Sequence, residues 1–336
     1  MLRARRRFRP DRFLFITGFL VFPVVLYLIY VINPYLQTAF YSLTDWNGFS
    51  PDVPFVGTGN YVDLFKDDVF LRALFHNVLI LTVYPLVTIT IGLFFAFMLN
   101  VGGRGDKAGI RGVRGSSFYK IVFFFPQVLS IAVVAIIWGR VYESSADSGL
   151  LNSLLLKLGL IDHDKPKLFL GESDSWPFPA LHLGDVTLDA SVVLWCLIAV
   201  AVWGGVGFYL VLFSAGMQSI PKDIYEAALL DGSSRAQSFF RVTLPLLWEQ
   251  ISVAWVYLGI AALDFFLLVW TMTPGSGGPD HASEVMSSWM YFTAFNASRI
   301  DKFGYACAMG ITMAVFTLLF TVVQLRITRR RDKIEF

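Results

Sequence analysis

Residues Glu226–Pro245 read EAALLDGSSRAQSFFRVTLP, a polar stretch between two long apolar ones. Just upstream, Pro221 suits the first turn of a helix, where its missing N–H is not needed. Asp223 and Glu226 then fall near the positive helix N-terminus, which favours carboxylates. Ala227, Ala228, Leu229 and Leu230 propagate a helix well, and Gly232 can end it in a left-handed cap. Ser234 followed by Gln237 fits a capping box that opens a second helix. Pro245 marks a bend at or just inside the next apolar run. The predicted shape is two short helices at an angle, joined at a glycine.

The flanking runs fix the fold class. Apolar residues make up 56% of the 336 and charged residues 15%, against about 45–50% and about 25% in soluble domains. Six runs are long enough to cross a hydrocarbon layer as helices: Phe13–Ile32, Val78–Leu99, Ile121–Gly139, Ala190–Met217, Ile251–Thr273 and Phe303–Leu325. Asp264 is the single formally charged residue inside them. Backbone groups in lipid must pair internally, so each run is a helix or a barrel strand. Barrel strands are short and alternate polar with apolar, which these runs do not. The expectation is an all-α integral membrane bundle of six transmembrane helices. The first run follows basic residues, yet it is too long for a signal-peptide core and has no small-residue cleavage site, so it reads as a retained helix. Cys196 and Cys307 both fall inside predicted spans and read as small packing residues rather than a disulfide or metal pair.

Charge sets the orientation. Nineteen Lys and Arg fall on the side holding both termini, residues 101–120 and the Glu226 gap, and eight on the other. Both termini are therefore expected in the cytoplasm, with residues 1–12 and 326–336 as basic tails suited to anionic lipid. Residues 13–325 form the membrane domain, with an external loop at 140–189 and a cytoplasmic loop at 218–249. The external loop holds eight acidic and four basic residues. Its leucines from Leu150 to Leu158 suggest a short amphipathic helix at the outer surface, either meeting a partner or packing on the spans.

In spacing and residue type, Glu226–Pro245 resembles the EAA loop of the membrane-spanning permease subunits of bacterial ABC importers. Val242 stands where that family usually has isoleucine. Other fragments resemble the sugar-transporting branch: Phe55-Val56-Gly57 with Asn60-Tyr61, Phe123-Phe124-Phe125-Pro126, Gly149-Leu150-Leu151-Asn152, Thr273 to Pro279, and Phe303 to Ala308. The resemblance implies a binding-protein-dependent importer of the maltose/glycerol-phosphate type in the bacterial cell membrane; that branch carries mono- and oligosaccharides or sugar-like polyols such as glycerol phosphate, and a sugar or oligosaccharide is expected here. It further implies a second homologous permease subunit, two ATP-binding subunits on the cytoplasmic face and an extracytoplasmic sugar-binding protein. Glu226, Ala227, Ala228, Gly232, Leu244 and Pro245 match the motif that docks on the ATPase. No Gly-Lys dipeptide occurs, so there is no Walker-type phosphate loop. The chain is expected to bind no cofactor, metal or nucleic acid and to be no enzyme, ATP being used by the partner.

A sugar needs flat aromatic faces and polar groups. Span five offers Trp255, Asp264 and Trp270, and span four offers Trp195 and Trp203 beside Gly204, Gly205 and Gly207. Asp264 is expected to face a cavity or a partner, since an ionisable group in a span is costly. It would either bond sugar hydroxyls or pair across the permease interface. Trp270 also fits an interfacial belt, and the glycines also fit close helix packing. A stand-alone secondary carrier or channel is the competing reading. Such proteins usually carry several ionisable residues in their spans and internal repeats, neither of which is visible here. The four histidines form no His-Glu-x-x-His pattern, and no Gly-x-Ser-x-Gly occurs.

Overall fold

The computed structural model describes residues 10–101, 113–173, 175, 177, 180–183, 186–275, 277–296 and 302–328. The arginine-rich ends at 1–9 and 329–336 and the basic loop 102–112 lie outside the described residues.

In chain order the helices begin with α1 (Pro10–Tyr27), a π-helical turn (Leu28–Ile32) and α2 (Asn33–Tyr41). Next come α3 (Gly59–Leu64), α4 (Asp68–Val101), α5 (Ser116–Val128), α6 (Ile131–Val141) and α7 (Leu150–Lys157). Strands β1 (Leu181–Leu183) and β2 (Val186–Leu188) precede α8 (Val192–Ser219). After it follow α9 (Lys222–Leu230), α10 (Arg235–Ser238), a second π-turn (Phe239–Thr243), α11 (Leu244–Leu246) and α12 (Trp248–Leu263). The chain ends with α13 (Phe266–Met272), α14 (Met286–Phe295) and α15 (Phe303–Thr328).

Among the described residues, four stretches are unbroken, long and apolar enough to cross a membrane: Phe15–Tyr41, Asp68–Asn100, Val192–Ser219 and Phe303–Arg326. The third expected span, Ile121–Gly139, is not one helix. Helices α5 and α6 meet there at 98°. Ser130 caps the new helix, its Oγ accepting from the Val133 N–H at 3.4 Å. The fifth, Ile251–Thr273, is interrupted too: Asp264 (φ −100, ψ 54) and Phe265 (φ −85, ψ 1) stand outside helix between α12 and α13. At its start, Arg235–Leu246 and Trp248–Leu263 meet at 70°. Six crossings result only if each bent pair counts as one. The chain is mostly helical as expected, with one small antiparallel hairpin, Leu181 opposite Leu188, within residues 140–189. The short helix expected from Leu150 is present as α7.

Two compact units are distinguished. In the unit comprising the chain up to Leu64 and Thr293–Thr312, the buried Asn60 amide donates to the carbonyls of Ser42 and Thr44 at 2.9 and 2.8 Å. Trp46 stacks on Tyr41 at 4.1 Å and meets Phe303 edge-on at 5.4 Å. The close approach of α15 requires Gly304, where a Cβ would lie 2.1 Å from the Thr44 carbonyl oxygen.

The larger unit, Phe65–Phe292 with the chain from Met313, is built around α4 and α8. Both are apolar on every side, as expected of helices surrounded by protein and lipid. Lipid removes most of the hydrophobic drive between helices, so close packing holds them together. Gly207 lets α8 touch α5: a Cβ there would sit 1.9 Å from the Phe123 carbonyl oxygen. At the N-terminal end of α4, a buried polar clamp ties distant loops together. His76 places its ring nitrogens 2.7 and 2.9 Å from the carbonyl oxygens of Glu284 and Asp189. The Asn77 side chain accepts from the Met286 N–H at 2.8 Å, and Arg72 pairs with Asp189 at 3.3 Å. Burying these groups is tolerable because they satisfy one another.

Candidate functional site

Both interruptions open onto one cavity of about 280 Å³, near the lower end of ordinary small-molecule sites. Its wall includes Gln127 from the end of α5, Tyr84 from α4, Gly204 and Gly205 from α8, and Asp264 with Phe265 from the break in α12–α13. Irregular backbone at membrane depth persists only where it is buried in protein or lines a wet space, and two breaks facing one hollow satisfy that condition. Interrupted helices near the midplane are also where many transporters form binding sites. Asp264 is exposed in this chain. Its carboxylate has no hydrogen bond or ion pair within the described residues. Gly205 is needed where it stands, since a Cβ there would come 2.9 Å from the Tyr84 hydroxyl.

The expected tryptophans are not gathered around this space. Trp203 lies on a separate apolar groove between α4, α5 and α8, edge-on to Trp138 at 5.5 Å. Trp255 is half-buried against the core. Trp270 stacks on Phe266 at 5.7 Å and meets Tyr291 at 5.0 Å. Of the four expected path residues, only Asp264 lines the cavity. Tyr84 and Gln127 were not foreseen. Gln127 carried a readable signal, being a polar residue in an otherwise apolar run next to Pro126.

A second site surrounds α9. Its sequence-read geometry is present in detail. Gly232 adopts φ +76, and the Ser233 N–H reaches the Ala228 carbonyl at 3.0 Å while the Gly232 N–H reaches Leu229 at 3.0 Å, a Schellman cap. Ser234 and Gln237 form the capping box, each side chain accepting from the other's N–H. One side of α9 is anchored by Tyr225, which is buried and hydrogen-bonds Thr243 at 3.1 Å. Burial pushes the Tyr225 phenol above its ordinary pKa, and the bond to Thr243 offsets this in part. The opposite side is open: Glu226, Ala227 and Leu229 are exposed, and Leu230 is 89% exposed. Ala228 and Leu244 are half-buried and Pro245 is exposed. An outward leucine beside small alanines leaves an exposed apolar patch on this face, the kind of surface that marks interaction sites. Tyr225 and Thr243 escaped the sequence reading because their contact spans 18 residues.

Residues 12–333 match the family described as the binding-protein-dependent transport system inner membrane component. The chain belongs to this family. As a permease of that family it is a membrane protein, and ATP hydrolysis resides in a separate subunit. The chain is 39% identical to the diacetylchitobiose uptake system permease protein NgcF of Streptomyces coelicolor, over 97% of this chain and 85% of that protein. It is 34% identical to a probable ABC transporter permease protein, YurN, of Bacillus subtilis, over 90% and 92%. Among solved structures, a bacterial alginate ABC transporter in complex with an alginate pentasaccharide-bound periplasmic protein includes a chain with the same fold. The TM-score is 0.71 at 21% identity, covering 95% of this permease and 96% of that chain.

Proposed function

We propose that this permease subunit serves an ATP-driven importer of a sugar or oligosaccharide, working with a second homologous permease, two copies of an ATPase and an external sugar-binding protein. The observation that carries this reading is the pair of interrupted spans around one cavity whose mostly apolar wall carries a few polar side chains. Gln127, Tyr84 and Asp264 supply hydrogen-bonding groups there, and Phe265 supplies an aromatic face. The named uptake of diacetylchitobiose by a relative and the periplasmic protein in the alginate transporter complex agree with it.

Coupling runs through Glu226, Ala227, Ala228, Gly232, Leu244 and Pro245. The ATPase grips the open face of α9. The capped turn and the Tyr225–Thr243 bond pass its displacement to α11 and α12, whose far end is the Asp264 break. Movement of α12 thereby reshapes the cavity wall, alternately admitting and releasing the sugar.

The test is reconstitution in proteoliposomes with labelled diacetylchitobiose and other oligosaccharides as candidates. Uptake is expected only when the ATPase, the second permease and ATP are all present. Uptake by this chain alone would instead establish a secondary carrier or channel.

A further inference from the structure

We infer that Asp264 makes the passage charge-selective, admitting neutral or cationic saccharides and rejecting anionic ones such as uronates and sugar phosphates. The inference rests on the cavity being the sugar route, and it goes further by naming the class of sugar.

The cavity's charge is one-sided. Among the described residues its wall includes no Lys, Arg or His, and its polar side chains besides Asp264 are the neutral Tyr84 and Gln127. The Asp264 carboxylate is held at the end of α12 by non-helical backbone and meets no counter-charge within the described residues. Clefts with low-dielectric walls focus the field of such a group, and the apolar wall beside it, including Val134, Val200 and Leu268, provides that setting. A neutral sugar hydroxyl donates readily to the carboxylate, and an amino sugar gains an ion pair. An anionic sugar would bring a second negative charge into the same hollow with nothing to neutralise either. The fold is shared with a bacterial ABC transporter involved in the import of the acidic polysaccharide alginate. Architecture therefore leaves the sign of the substrate open, and a side chain has to set it.

The local potential can be measured without relying on the binding protein's own preferences. Gly204 lines the same cavity, and a Cβ added there meets nothing within 4 Å. A Gly204→Cys variant, made with Cys196→Ala and Cys307→Ala, offers a thiol to water in the route. The assembled importer in proteoliposomes is treated with a cationic (trimethylammonium) or an anionic (sulfonate) methanethiosulfonate, and modification of the residue-204 peptide is followed by mass spectrometry. At a separation on the order of 6 Å, even at the dielectric of water, a unit charge would change each reagent's local concentration about threefold and in opposite directions. The cationic reagent should react faster, and Asp264→Asn should lower the cation-to-anion ratio about tenfold. Asp264→Lys should reverse the preference.

A ratio unmoved by these substitutions overturns the inference while leaving the route intact. So does a parent protein with no preference, because a partner's cation would then already neutralise Asp264. No labelling with either reagent means that water does not reach Gly204, which removes the route itself and the inference with it.

Discussion

Replacing Gly232 isolates the turn that joins α9 to α10. The residue sits at φ +76, and a Cβ built there meets no atom within 4 Å. A substitution therefore causes no clash, and its cost is conformational alone. Left-handed backbone costs an L-residue about 1–2 kcal/mol, with asparagine among the least affected. A β-branched residue fares worse than alanine. A penalty of that size shifts the local equilibrium between capped and frayed turn by about 5- to 30-fold. The order expected for ATP-coupled uptake is Gly, then Asn, then Ala, then Val, with Val close to inactive. The assay is sugar uptake by the assembled importer in proteoliposomes, with insertion and ATPase co-purification measured alongside. Subunits should still assemble, because the open face of α9 carries Ala227, Leu229 and Leu230 rather than Gly232. Wild-type uptake by Gly232→Val would refute the rigid-turn argument, since no compensating contact is available to hide the penalty.

Three further outcomes are expected. Gly207→Ala would bring a methyl to 1.9 Å from the Phe123 carbonyl and 2.8 Å from the Phe124 Cα. Forcing α5 and α8 apart should cost about 1–3 kcal/mol, visible as a lowered unfolding midpoint in detergent. Tyr225→Phe removes the bond to Thr243, and a loss of about 1 kcal/mol is expected. It should reduce uptake severalfold with less effect on ATPase binding, as a titration of the ATPase onto the permease would show. Glu284→Ala removes the buried carboxylate that accepts from Ser288 and lies 3.2 Å from His281. A cost of about 1–3 kcal/mol is expected, seen as faster hydrogen exchange in residues 277–289, with Glu284→Gln less affected.

Legibility in the sequence followed the range of the interactions. The turn at Gly232 and the capping box of Ser234 and Gln237 were readable because their chemistry is complete within a few residues. Span positions were readable from the length of apolar runs. The breaks were not, because a run of Val, Ile and Phe reads the same whether its helix is straight or bent. Ser130 and Asp264 were the available signals, each a polar residue in mid-run able to hold a helix end. The buried clamp was invisible for another reason: His76 and Glu284 are 208 positions apart, and neither carries a local pattern. The tryptophans do not line the cavity beside Asp264, since aromatic rings in a span serve packing as readily as recognition. Trp255 and Trp270 pack against neighbouring side chains, and Trp203 faces a separate groove.

The gap between Leu263 and Phe266 has a consequence for how such a conduit can diverge. Interrupting a helix frees main-chain N–H and C=O groups, which then need water or a guest. Those atoms belong to every amino acid except proline's missing N–H, so substitutions along the lining cannot strip the conduit of its hydration. On the proposed route, changes at position 264 or its neighbours can therefore alter cargo preference while leaving these backbone groups in place.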